Sequence, residues 1–189
     1  MFLLNMRGKL AEFYSVERGK KMKKQIETER KYIIEMPDTE KIRTMQDYTE
    51  SEIEQTYLTA EKGKTHRIRR RAYPDRVEYI ENIKTRISPM SVIEEEGEIT
   101  PEGYSELSAL IETGTAPVYK KRYTFSYGGY TLEIDVYPQW RRSAVLEVEL
   151  ESESVTLPLP AWIKVIREVT GDKAYSNHTM ARSFPEELV

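Results

Sequence analysis

The chain has 189 residues, 39% of them hydrophobic, which is enough for one domain with a real core and argues against wholesale disorder. Charged residues make up 32% of the chain yet the net charge is only -3, which argues against a simple polybasic nucleic-acid binder. There is no cysteine, so disulfides and cysteine-ligated zinc are excluded, and a reducing, cytoplasmic setting is expected.

Residues 1–24 carry seven Lys or Arg and two Glu and show no β pattern. They read as an N-terminal extension or a peripheral helix ahead of a domain spanning 25–189. The apolar start "MFLLNMRGKL" is too short for a signal peptide, and no apolar run approaches a membrane span, so no membrane association is expected. The first strand is "KKQIETERKYII" (23–34), with Glu27, Glu29 and Lys31 on one face. Pro37 and Asp38 then open a predicted helix reaching about Gln46.

Four short alternating segments follow. "EIEQTYL" (52–58) has Ile53 and Tyr57 in phase, and "THRIRRR" (65–71) puts Arg67, Arg69 and Arg71 on one face. "VEYIENIKTRI" (77–87) aligns Lys84 with Arg86, and "SVIEEEGEI" (91–99) aligns Glu94, Glu96 and Glu98. A helix is predicted over 100–112, with Thr100 as N-cap and Pro101 at its first position. Strands come next at 118–125, 131–137 and 144–151, the first two joined by a "SYGGY" turn. They place Lys120 and Arg122, Glu133 and Asp135, and Glu147 and Glu149 opposite apolar faces. The segment 159–171 reads as a C-terminal helix with Trp162, Ile166 and Val169 on one face and Gly171 at its end.

One charged face on one strand is ordinarily a solvated surface. Here acid-bearing and base-bearing strands both recur, so a second arrangement competes. If the sheet closes, both sets line one lumen, the apolar faces point outward, and the helices at 37–46, 100–112 and 159–170 supply part of a coat. Charges so enclosed must be paired, hydrated or occupied by ligand. Arg and Lys suit phosphate oxygens, and paired carboxylates suit Mg2+ or Mn2+. Together they suit a polyphosphate whose charge is shared with a divalent ion.

At these residues the chain resembles the CYTH superfamily, the triphosphate tunnel metalloenzymes. "ETERK" at 27–31 matches the family's Glu-x-Glu-x-Lys signature. "RIR" at 67–69, Lys84, "EGEI" at 96–99, "KKR" at 120–122, "EID" at 133–135 and "EVE" at 147–149 appear in the family's order. The "SPMSVI" approach to the fourth charged segment departs from the pattern by carrying no basic residue. The resemblance implies an α+β fold: a closed antiparallel β-barrel, a tunnel of about eight strands with helices packed outside. It implies a metal site of Glu27, Glu29, Glu147 and Glu149, with Glu133 and Asp135 supporting it or holding a second ion. Lys31, Arg67, Arg69, Lys84, Arg86, Lys120 and Arg122 would grip phosphates, with Lys31 and its neighbours also stabilising charge during reaction. Glu96, Glu98 or Asp135 would orient the attacking water. The implied activity is metal-dependent hydrolysis of a triphosphate, inorganic triphosphate first. A class IV adenylate cyclase and a non-catalytic polyphosphate- or nucleotide-binding module are the alternatives, and a homodimer is left open.

Other signals carry less. "EKGKT" (61–65) lacks the earlier glycine of a phosphate-binding loop, because that position is Leu58. His66 and His178, the only histidines, lack metal-ligand spacing. Trp140 gates a tunnel mouth or packs at the surface, and Ser176 and Asn177 pin the tail or touch substrate.

Overall fold

The computed structural model describes residues 22–155 and 159–188. Alternation of charged and apolar side chains yields nine strands among these residues. They are β1 Lys23–Glu35, β2 Gln46–Leu58, β3 Lys64–Ala72, β4 Val77–Arg86, β5 Ser91–Glu98, β6 Val118–Tyr127, β7 Tyr130–Val136, β8 Ser143–Glu149 and β9 Val165–Glu168. They run antiparallel in the order β5-β4-β3-β2-β6-β7-β8-β1-β9, and an added β5–β1 pairing closes the first eight into a barrel. This is the closed antiparallel barrel of about eight strands with helices packed outside that the resemblance implies.

β1 closes the ring by dividing its partners. Lys23–Thr28 pair with β5, and Glu29–Glu35 pair with β8. Beyond Thr28 the side vacated by β5 is taken by β9 through Tyr32–Ile34. Segment 159–171 is thus turn and strand, and the helix predicted there is not formed. The reason is the open edge of β1. Glu35 N donates to Lys164 O and Val169 N donates to Lys31 O, and β-branched Val165 and Ile166 suit a strand that satisfies such an edge.

The other helices are shorter than their periodicity suggests. α1 is Thr39–Arg43, capped by Asp38, and Gln46 already begins β2. α2 is Pro101–Ser108, with the Thr100 hydroxyl accepting from Gly103 N. A 3-10 turn at Lys173–Tyr175 and α3, Asn177–Met180, follow β9. No described helix is long and apolar enough to cross a membrane. The predicted N-terminal extension lies, but for its last three residues, outside the described residues; Lys23 and Lys24 already belong to β1.

The barrel has apolar packing on both sides of its wall. Leu132, Ile134, Leu146 and Val148 point outward and pack with Ile42 of α1 and Ile163. Leu58, Ile68 and Ile99 are covered by Leu107 of α2. Inside, one end of the barrel is filled by Ile33, Tyr57, Val118 and Val145, continuous with Tyr137 and Trp140 of the β7–β8 connection and with Tyr175 and Met180 of the tail. The remaining interior is polar.

Candidate active site

Period-two alternation turns the charged faces of β1 and β3–β8 inward around a cavity of about 550 Å³. Glu27, Glu29, Lys31, Arg67, Arg69, Lys84, Arg86, Glu96, Lys120, Arg122, Glu133, Glu147 and Glu149 all line it. Two candidates do not. Glu98 is exposed at the end of β5, and Asp135 is 0% exposed behind the lining.

Acids and bases are interleaved across the lumen. Lys31 Nζ lies 2.7 Å from Glu147 and 3.6 Å from Glu29. Arg122 binds Glu133, Asp135 at 2.6 Å and Glu147 at 2.7 Å, while Lys120 also binds Asp135. Lys84 binds Glu27 and lies 3.1 Å from Glu94, which Arg67 approaches at 3.6 Å. Burial works to raise the carboxyls of Glu147 and Asp135. Lys31 and Arg122 overcome it at Glu147, Arg122 and Lys120 overcome it at Asp135, and both carboxyls are held below their ordinary values. Arg86 is exposed and donates to the carbonyls of Ser88 and Pro89, so it braces the β4–β5 turn at the rim.

Arg69 is the exception to this pairing. It is 7% exposed, and among the described residues it has no acidic partner within ion-pair distance. Burial, then the neighbouring Arg67 and Arg122 guanidiniums, push its pKa down to about 10. A buried cation held among cations is costly unless an anion arrives to meet it.

The complementary excess of acid lies at Glu149. Its side chain opens to solvent, yet partial burial of the carboxyl and then the charges of Glu133 and Glu27 raise it to about 7. Glu29 is likewise raised, by burial and then by Glu147. Among the described residues no three carboxylates or imidazoles are already gathered as a metal-binding group. The donor chemistry nevertheless fits a hard divalent cation. The charges of Glu133, Glu27 and Glu29 bear on Glu149, and Arg122 offsets their repulsion only in part.

No protein-family model and no curated protein matches the chain. Solved structures do. The inorganic triphosphatase NE1496 is 28% identical, with a TM-score of 0.52, over 85% of this chain and 97% of that one. A second structure of NE1496 matches with the same identity and TM-score over 84% of this chain and 99% of that one. PH1012 from Pyrococcus horikoshii OT3 is 20% identical, with a TM-score of 0.51, over 67% of this chain and 79% of that one. The chain has the triphosphate-tunnel fold.

Several tunnel residues have no signal in the charge alternation. Gln55, Tyr57 and Asn82 face inward, and Tyr57 also lines the tunnel. Asn82 donates to Glu94 at 2.6 Å and to Glu96 at 3.0 Å, which fixes these two of the four β5 carboxylates. Gln55 lies in phase with Ile53 and Tyr57, a pattern that reads as apolar, so only the closed barrel reveals it. The tail is the other addition. Thr170, Gly171, Lys173, Ser176, Asn177 and His178 border the tunnel. Asn177 accepts from the Tyr137 hydroxyl at 2.7 Å, and Ser176 caps α3.

The remaining motifs find ordinary places. Gly63 of "EKGKT" adopts φ +86 in the β2–β3 turn. His66 pairs with Glu81 at 2.9 Å and His178 with Glu112 at 2.6 Å. Trp140 is buried against Tyr137 and Phe184, and its Nε1 donates to Pro185 O, so it anchors the tail rather than gating a mouth.

Proposed function

We propose that this protein is a divalent-metal-dependent phosphohydrolase that cleaves the terminal phosphoanhydride of inorganic triphosphate, giving diphosphate and orthophosphate. The observation that carries the proposal is Arg69, a buried arginine with no acid to meet it, flanked by Arg67 and Arg122. The likeness to NE1496, an inorganic triphosphatase, supports the same substrate.

In this reading Arg67, Arg69, Lys84, Lys120, Arg122 and Lys31 receive the phosphate chain. Arginine supplies planar forks and lysine compact charges. Glu27, Glu29, Glu147 and Glu149 would hold Mg2+ or Mn2+, with Glu133 beside them. When bound, such an ion neutralises phosphate oxygens and lowers the pKa of a coordinated water. Asp135 acts from behind, holding Lys120 and Arg122 by charge-assisted hydrogen bonds. Glu96, held by Asn82 and lining the tunnel, would orient the attacking water. Exposed Glu98 is less well placed for that task. The cations then offset charge growing on the leaving diphosphate.

The direct test is incubation with tripolyphosphate and Mg2+ or Mn2+. Equal release of orthophosphate and diphosphate is expected. Cyclic AMP and diphosphate from ATP, with tripolyphosphate left intact, would assign a cyclase. Binding of tripolyphosphate without turnover under any metal would assign a binding module.

A further inference from the structure

Arg69 and Arg67 each stand opposite an amide side chain. Gln55 on β2 is the cross-strand partner of Arg69, and Asn82 on β4 is that of Arg67. Both amides are 0% exposed. Their NH2 groups are committed, Gln55 Nε2 to the Tyr57 hydroxyl at 2.7 Å and Asn82 Nδ2 to Glu94 and Glu96. Their carbonyl oxygens have no partner, and neither has the Nε of Arg67 or of Arg69. A buried acceptor and a buried donor are therefore left unmatched on adjacent strands, once on each flank of β3. Buried polar atoms are as a rule hydrogen-bonded, and a repeated exception at one site calls for a cause.

We propose that Gln55 and Asn82 are positioning residues for the two arginines. With a phosphate chain in the tunnel, Gln55 Oε1 accepts the Nε–H of Arg69 and Asn82 Oδ1 accepts that of Arg67. Pinning Nε fixes the plane of each guanidinium and leaves its two terminal Nη groups to bind phosphate oxygens. The amides are already immobilised through their NH2 groups, so they can act as fixed posts. An amide suits this task better than a carboxylate. It accepts a hydrogen bond without neutralising the charge that the phosphate must meet. This rests on the phosphate-clamp reading of the same site.

The test pairs Gln55→Met, similar in size but lacking both the carbonyl and the NH2 of the amide, with substitutions at Arg69. Gln55→Met should raise KM for tripolyphosphate roughly three- to tenfold, with a smaller change in kcat, the size expected for loss of one oriented hydrogen bond. In an Arg69→Lys background, which keeps the charge but has no Nε in a fork, Gln55→Met should add nothing. An equal loss in both backgrounds, or no loss in the first, overturns the positioning role. Unchanged KM in Arg69→Ala would instead sink the clamp reading itself. Should Gln55→Met fail to fold, the wild-type protein still decides by NMR. The Arg69 Nε–H should exchange slowly with solvent once tripolyphosphate is added, and fast exchange in both states overturns the role.

Discussion

Lys31 and Glu147 stand directly opposite one another on β1 and β8, and their side chains meet at 2.7 Å inside the tunnel. Burial acts to lower the Lys31 ammonium, but Glu147 and then Glu29 outweigh it and hold it above its ordinary value. Glu147→Gln removes the acid shared by Lys31 and Arg122. Breaking a buried pair on one side costs about 3–5 kcal/mol, less whatever is regained from the Glu29–Glu147 repulsion. Thermal melting should show a clear loss, and an unchanged Tm would mean that the pair contributes nothing. The pH dependence follows the same carboxyl. Its folded pKa is depressed below the ordinary 4.5, so its stabilisation is present above that value and is lost as pH falls through the folded one. The variant should lose less stability in acid than the wild type does.

Glu149 predicts the opposite sign. Its pKa is about 7 in the fold against an ordinary 4.5, so the folded state takes up a proton more readily than the unfolded chain. The ionised group opposes folding above pH 7, and that opposition is relieved as pH falls toward 4.5. The metal-free protein should therefore gain Tm between about pH 8 and pH 5.5, and Glu149→Gln should flatten that gain. At about pH 8, Mg2+ or Mn2+ should raise the wild-type Tm more than the variant's. Identical pH profiles for the two proteins would remove Glu149 from this role.

Arg69→Ala should separate ligand binding from stability. One lost charge-assisted hydrogen bond costs on the order of 1.5–3 kcal/mol, or roughly ten- to a hundredfold in kcat/KM for tripolyphosphate. Relief of repulsion with Arg67 and Arg122 should leave the ligand-free protein at least as stable as the wild type. A fall in Tm with unchanged tripolyphosphate affinity would make Arg69 a packing residue.

Gly171 joins the tail to the β4–β5 turn. It adopts φ +73, and a Cβ there would stand 2.9 Å from Pro89 Cβ. Gly171→Ala should cost about 1–2 kcal/mol from the left-handed backbone alone, and the contact adds to that. Displacement of neighbouring Thr170 would also loosen its hydrogen bond from Lys31 N, 3.0 Å long in the native fold. Lower Tm together with lower kcat/KM is expected. An unaltered Tm would show that the two loops part freely.

The strands were legible because charge alternates with apolar side chains over most of the barrel wall. Leu132, Ile134, Leu146 and Val148 point outward as expected, while Glu133 and Glu147 line the lumen. The alternation misleads toward the filled end. There Ile33 follows Lys31 on the inward face and Val145 precedes Glu147 on it, so interior positions turn apolar within a single strand. Tyr57 and Gln55 were hidden for the same reason. β9 was obscured because Trp162, Ile166 and Val169 fit a helical face. Only the unpaired half of β1, a feature of the closed ring, makes an extended segment preferable there. Asn82 gives no sign in sequence, since its role depends on two carboxylates brought beside it by β5.

The division of β1 between β5, β8 and β9 bears on how the molecule assembles. Hairpin neighbours such as β3 and β4 can meet early, because little chain separates them. β1 must instead find β8 across most of the sequence and β5 across some sixty residues, and the ring is complete only when Glu29 pairs with Glu149, Lys31 with Glu147 and Lys23–Thr28 with β5. Contacts so distant in sequence slow folding, because loop closure is costly before it is rewarded. Acids distant in sequence therefore come together only once β1 has docked on β8. A folding intermediate with a loose β1 would have hairpins and outer packing but no assembled lumen, so tripolyphosphate added during refolding would report ring closure rather than collapse.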